Sequence, residues 1–196
     1  MHFDVIVIGG GAAGLMCAIE AGRRGRRVLV LERNHEVGRK ILISGGGRCN
    51  FTNLRAAPEN FLSSNPDFCR SALARYTPQD FVAWVEKHGI AWHEKKLGQL
   101  FCDGSARQIV GMLLGECAAV AAAVRTGCEV EAVQRPDGFA LRTSQGDLRC
   151  DSLVVATGGL SIPKLGATDF AFALARELGV SVRETRPGLV PLRFEG

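Results

Sequence analysis

The first residues able to do chemistry stand near the amino terminus. Gly9-Gly10-Gly11-Ala12-Ala13-Gly14 satisfies G-x-G-x-x-G, and an acid, Glu32, follows 18 residues beyond Gly14. That spacing marks a dinucleotide-binding turn when a strand precedes it and a helix follows. Gly9 permits the tight turn, Gly11 lets a pyrophosphate approach the backbone at a helix N-terminus, and Gly14 lets helix and strand pack closely. Ala12 and Ala13 fill the intervening positions. Glu32 is placed to accept hydrogen bonds from a ribose diol and would repel a 2′-phosphate, which argues against NADP as the nucleotide held here.

Two further glycine clusters occur later in the chain. "GRKILISGGGRCNFTN" runs from Gly38 to Asn53. It is no P-loop, and Asn50 stands where a second dinucleotide fingerprint would need its third glycine. Its residues therefore read as the other half of the first site. "ATGG", Ala156-Thr157-Gly158-Gly159, closes a β-branched run about 140 residues after the first motif.

The elements that must position these groups are legible in the pattern. Val5 to Ile8 is a continuous β-branched run, as expected for a strand buried on both faces of a parallel sheet. Leu15, Ala18, Ile19 and Gly22 recur at helical spacing, Gly25 is a C′ stop, and Val28 to Leu31 is the second parallel strand. A helical insertion is expected over about 58–124. Within it Thr77 is an N-cap, Pro78 the first helical residue and Gly89 a stop, and another helix covers Ser105 to Val124. Phe81, Trp84 and Val85 share a core-facing stripe. Strands are expected at Cys128 to Gln134, Phe139 to Thr143 and Leu148 to Ala156, with Pro136-Asp137-Gly138 at the first corner of this antiparallel meander. A last helix spans Ala167 to Leu178.

The bulk numbers bound the possibilities. The chain has 196 residues, 46% hydrophobic and 22% charged, with a formal net charge of +4. One globular domain is the natural reading of that length. The charge hints at anionic ligands, but the arginines are too scattered for a nucleic-acid footprint. Seven cysteines without a CxxC pair fit a reduced, cytoplasmic compartment better than a disulfide framework, and they present no zinc spacing. No signal peptide or membrane-spanning stretch is evident. His88 and His93 have no second ligand or acid at useful spacing and read as surface or core residues.

A simple NAD dehydrogenase would continue with alternating strands and helices. This chain instead runs through a glycine loop, the insertion, the meander and then A-T-G-G. That order resembles the glutathione-reductase-like class of FAD domains: an α/β Rossmann fold with a parallel sheet, an antiparallel β-meander and a helical insertion. "GRKILISGGGRCNFTN", "ATGGLSIPKLGAT" and "RPGLVPL" together resemble the BaiN-like family of FAD-dependent oxidoreductases, across essentially the whole chain. The family often has Gly-x-Gly where this chain has Asp169-Phe170-Ala171, and alanine where it has Gly188.

The resemblance implies FAD held by Gly9, Gly11, Ala12, Ala13, Gly14, Glu32 and Arg33. It adds Lys40, Val130 and the Ala156-Thr157-Gly158-Gly159 turn as contacts. It also sets the loop Gly45, Gly46, Gly47, Arg48, Cys49 and Asn50 against the cofactor. Arg39, Lys40 and Arg48 are then candidates to pair with pyrophosphate or to stabilise a reduced flavin, with plain surface charge the competing role. Cys49 has no partner within its loop, so dithiol chemistry is disfavoured; a flavin contact, a packing residue and a reactive thiol remain open.

The activity the resemblance implies is that of an FAD-dependent oxidoreductase, exchanging hydride between flavin N5 and a small organic substrate, with NADH or NADPH visiting transiently as reductant. No catalytic acid or base is singled out. Rival expectations are a flavoprotein that modifies RNA and a non-catalytic FAD-binding module. Family members are roughly twice as long, so 1–186 is expected to be an FAD-binding domain and 187–196 the start of a second, substrate domain.

Overall fold

A computed structural model describes residues 1–186. The segment 187–196, expected to begin a second domain, lies outside the described residues. Strand β1 (His2–Ile8) enters the glycine turn, helix α1 (Ala12–Arg23) returns, and β2 (Val28–Leu31) pairs parallel to β1 with Val7 opposite Val30. After α2 (Arg39–Ile43), a 3-10 turn (Ser44–Gly47) delivers the chain to β3 (Asn50–Asn53). Helices α3 (Arg70–Arg75) and α4 (Pro78–Lys87), strands β4 (Trp92–Glu94) and β5 (Gln99–Cys102), and helix α5 (Arg107–Ala119) come next. Strands β6 (Ala123–Arg125), β7 (Val130–Gln134), β8 (Phe139–Thr143) and β9 (Gly146–Val155) precede α6 (Phe170–Glu177).

The main sheet has the order β6-β2-β1-β9-β8-β7. Its first four strands run parallel, while β8 and β7 form the antiparallel meander. A second, antiparallel sheet has the order β3-β5-β4. The expected α/β Rossmann architecture with parallel sheet and meander is therefore what the chain forms.

Alternation along β1 explains its uninterrupted apolar run. Val7 joins the core beneath α1 and α5, whereas Ile6 and Ile8 join Leu29, Leu31, Leu141 and Leu148 on the opposite face. Helices α1 and α5 approach closely because Gly22 has no side chain; a Cβ there would stand 2.5 Å from Val120 Cγ2. Helix α4 starts as expected: Asp80 N donates to Thr77 Oγ1 at 3.2 Å and Thr77 N donates to Asp80 Oδ2 at 2.7 Å, a reciprocal capping box.

The stretch from 58 to 124 is less helical than its pattern predicts. It contains α3, α4 and α5, but also β4, β5 and most of β6. The helix expected to reach Val124 ends at Ala119, and Ala123–Arg125 instead pairs parallel with β2. Alanine's helix propensity is weak beside the backbone hydrogen bonds left open on a parallel edge strand. Strands of three or four residues carry too little alternation to be read locally.

Among the described residues, no helix is long and apolar enough to cross a membrane, and no group of His, Cys, Asp and Glu could hold a metal ion.

Candidate dinucleotide site

The carboxyl ends of β1, β2 and β9 open onto one side of the sheet, and a cavity of about 610 Å³ lies there. Gly9 turns the chain out of β1 with φ +112, and any Cβ at that position would stand 2.5 Å from the Ala156 carbonyl oxygen. Gly14 packs directly on the Gly9 carbonyl, leaving no room for a side chain. Gly11 is the opposite case: a Cβ there meets nothing within 4 Å, so its face is open to the cavity. It is also the N-cap of α1, with no side-chain cap and no acid in the first turn. Free N–H groups and the positive end of the helix dipole therefore face the cavity, an arrangement that suits a phosphate.

Glu32 is buried at the end of β2. Its Oε2 accepts from Gly10 N at 2.9 Å, and Oε1 accepts from Asn34 N at 2.8 Å and Asn34 Nδ2 at 2.7 Å. A carboxylate has about four acceptor positions. Three are used to fix its orientation, and one remains open. Next to the Gly9 turn, Thr157 Oγ1 is buried without a hydrogen-bond partner. An orphaned buried hydroxyl is rare in folded proteins, and this one is free to meet a ligand atom.

Gly9, Gly11, Ala12, Ala13, Glu32, Arg33, Lys40, Val130, Ala156, Thr157 and Gly158 all line this cavity. Gly14 stands behind it, and Gly159 is not on its wall. Three cations face it: Arg33; Arg39, whose Nη1 donates to Asn34 Oδ1 at 2.8 Å and Leu165 O at 3.1 Å; and Lys40, whose Nζ donates to Ser161 Oγ at 2.8 Å. Arg39 is thus a cavity residue and not plain surface charge. The span Leu165 to Phe170, which includes Asp169, the first of the two departures from Gly-x-Gly, also lines the cavity. Backbone at Leu165 and Gly166, held near Arg39 and Arg33, forms that wall, and main-chain atoms leave no trace in residue type.

The loop from Gly45 to Asn50 is not on the cavity wall. Three successive left-handed glycines, with φ +58, +67 and +86, turn the chain onto the second sheet. A Cβ on Gly45 would stand 2.6 Å from the Phe101 ring. Gly47 O accepts from Ala106 N at 2.7 Å and Arg48 O from Cys102 N at 2.9 Å. Arg48 and Asn50 are exposed, and Cys49 is buried at φ +54. Burial pushes the Cys49 thiol up, against a smaller opposing hydrogen bond with Ser44. A buried thiol pushed up in this way favours packing over reactivity.

The two histidines have acid partners that sequence spacing could not reveal. His88 Nε2 lies 2.8 Å from Glu116 Oε1, and His93 Nδ1 lies 2.6 Å from Asp103 Oδ1. Neither is on the cavity wall.

A parallel sheet with an antiparallel meander and a phosphate-accepting turn at its carboxyl end is the fold of FAD-dependent oxidoreductases. The chain belongs to the family described as "HI0933-like protein Rossmann domain", which it matches over residues 3–193. It is 55% identical over 191 residues to "Ribosomal RNA dihydrouridine synthase" of Escherichia coli (strain K12), covering 97% of this chain and 48% of that protein. A more distant relative is "3-dehydro-bile acid delta(4,6)-reductase" of Clostridium scindens, 29% identical over 96% of this chain and 47% of that protein. The BaiN-like resemblance is thus narrowed: the wider HI0933-like family is what the chain shares, and the bile-acid branch is remote. The chain spans about half the length of the curated relatives it matches. Among solved structures, glycine oxidase from Geobacillus kaustophilus superposes with a TM-score of 0.62 at 18% identity, covering 92% of this chain and 59% of that one, a likeness of fold.

Proposed function

We propose that this chain is the FAD-binding part of a flavoprotein that reduces a uracil base in ribosomal RNA, with NADH or NADPH as the source of electrons. The observation that carries the proposal is the coincidence of an FAD-type cradle with 55% identity to a relative named for ribosomal RNA dihydrouridine synthesis. Of the sequence-based alternatives, the RNA-modifying flavoprotein gains most from that relative.

In this reading the glycine turn and the N-terminus of α1 hold the pyrophosphate. Glu32 takes a ribose hydroxyl with its remaining lone pair. Val130 and Cys128 give the adenosine side of the cavity an apolar wall, and Thr157 donates to or accepts from the cofactor with its unpaired hydroxyl. Arg33, Arg39 and Lys40 offset the cofactor's negative charge. When bound, the flavin supplies hydride to a carbon–carbon double bond of the substrate, the protein's contribution being binding, orientation and electrostatics. The Gly45–Asn50 loop and Gly159 belong to the cofactor's surroundings only if a ligand extends past the cavity wall.

The bile-acid reductase relative, at 29% identity, supports a second reading in which the acceptor is an unsaturated small molecule. One experiment separates the two. The full-length protein is purified, its flavin released and identified, and anaerobic bleaching by NADH and NADPH recorded. Unmodified ribosomal RNA is then added and its nucleosides analysed by mass. Dihydrouridine, uridine plus two hydrogens, is the expected product. A colourless protein without releasable flavin sinks both readings. Bleaching without dihydrouridine moves the assignment to a small-molecule substrate, and flavin that no nicotinamide reduces leaves a non-catalytic module.

A further inference from the structure

The second sheet carries a surface that the cofactor cavity leaves unused. Leu54 N donates to Gly98 O at 2.9 Å, so the chain leaving β3 lies against the turn between β4 and β5. Arg55 comes immediately after, with its Cγ 3.2 Å from the Cβ position of Gly98. Lys95 and Lys96 occupy the same turn and are exposed. Lys95 Nζ stands 5.4 Å from the centroid of the Phe101 ring, and His93 stacks on that ring at 6.2 Å with an interplanar angle of 18°. Three cations, an imidazole and the apolar body of Leu97, 68% exposed, therefore gather at one end of the β3-β5-β4 sheet.

These cations form no ion pair among the described residues: none of Arg55, Lys95 and Lys96 enters one. The nearby acids have other hydrogen-bond partners: Glu94 Oε1 accepts from Gly98 N of the same turn at 2.9 Å, and Asp103 Oδ1 lies 2.6 Å from His93 Nδ1. By contrast Arg23, Arg24, Arg70, Arg107 and Arg142 are all paired with acids. The strand that leads to this face follows the cofactor cavity in the chain. From Lys40 on the cavity wall, the backbone runs through α2 and the glycine turn straight into β3.

We propose that this end of the β3-β5-β4 sheet docks the phosphate backbone of single-stranded RNA. The proposal rests on the RNA-reducing function above and locates where that substrate is held. Unpaired ammonium and guanidinium groups displace condensed counterions from a polyanion, which supplies affinity without sequence preference. Leu97, 68% exposed, offers apolar surface to ribose or base, and the buried Phe101 ring holds His93 and Lys95 in place beside it.

The test uses the full-length, flavin-loaded protein and two probes, fluorescein-labelled oligouridine and purified ribosomal RNA, titrated at several salt concentrations. The triple variant Arg55→Ala, Lys95→Ala, Lys96→Ala is expected to weaken binding of both probes about 30-fold and to lower the salt slope by about 2, since each phosphate contact on a single strand contributes ~0.7. Flavin content and bleaching by nicotinamide stay at wild-type values, which shows that the protein is folded. Lys95→Arg with Lys96→Arg retains binding, and Arg149→Ala, at the opposite end of the main sheet, leaves it unchanged. Unaltered affinity and slope in the triple variant, with dihydrouridine still formed, overturn the docking site while sparing the proposed function. A wild-type protein that binds neither probe overturns both. Unaltered RNA binding with a change in oligomeric state assigns the face to a protein partner and likewise overturns the proposal.

Discussion

Gly14 rests directly on the carbonyl oxygen of Gly9, and a Cβ on Gly14 would overlap that atom while pressing on Val7 Cγ1 at 3.2 Å. Five residues apart in the chain, the two glycines fix how closely α1 sits on β1. Gly14→Ala is therefore a packing lesion, expected to destabilise by about 1–3 kcal/mol in urea unfolding. Gly11→Ala meets nothing within 4 Å at an ordinary φ of −85. Its stability should stay within about 0.5 kcal/mol of wild type, while FAD affinity falls at least tenfold, the methyl group standing where a pyrophosphate approaches. Equal loss of stability in both variants would contradict this division of roles.

Thr157 offers a second way to separate binding from folding. Its Oγ1 is buried without a partner, so the ligand-free protein gains nothing from the hydroxyl. Thr157→Val is expected to match or exceed wild-type stability without FAD, because burying an unpaired polar group is unfavourable. Flavin titration monitored by fluorescence quenching should show weaker binding. Tighter or unchanged binding would remove Thr157 from the cofactor's contacts.

Glu116 joins three helices through its side chain. It accepts from Arg23 Nη2 at 2.7 Å and Trp84 Nε1 at 3.2 Å, and lies 2.8 Å from His88 Nε2. Burial alone would push its carboxyl up, but hydrogen bonds from His88, Trp84 and Arg23, together with the Arg23 charge, hold it below the ordinary glutamate value. A carboxyl depressed in the folded state stabilises above its unfolded pKa, about 4.3, and loses that contribution as pH falls through the folded value. Wild-type Tm should therefore drop below about pH 4.3 more steeply than that of Glu116→Gln, which should already be lower at pH 7. Parallel acid limbs in the two proteins would refute the role.

Cys102 and Cys117 contribute to stability on the alkaline side. Burial, with smaller contributions from neighbouring Cys49 and Asp103, pushes the Cys102 thiol up to about 11, and burial with Glu116 does the same for Cys117. A thiol raised in the folded state gives stability that is full below the unfolded value, about 8.5, and lost as pH rises towards about 11. In native protein at about pH 8, just under the free-thiol pKa, iodoacetamide should label the partly exposed Cys69 well before Cys49, Cys102 or Cys117, as read by peptide mass. Labelling of Cys49 at the rate of Cys69 would restore a reactive role for it.

Much of the site was legible because dinucleotide binding uses steric absence. Gly9 and Gly14 are required by what a Cβ would strike, Gly11 keeps its face open to the cavity, and Glu32 ends one βα unit, so local sequence carries them. The wall formed by Leu165 and Gly166 was not legible, since it presents backbone held by arginines distant in sequence. Nor were the small strands β4, β5 and β6, whose formation depends on partners far along the chain.

By itself, then, the sequence determined the β1-α1-β2 unit, the meander and the glycine cradle, because each arises from propensity and sterics within about thirty residues. Only the tertiary structure decided what the second glycine cluster does. Pairing of Asn50 with Phe101 and of Cys102 N with Arg48 O turns that loop onto a separate sheet and away from the cavity wall. Those hydrogen bonds join residues some fifty positions apart, and no local pattern of residue types encodes such a partner.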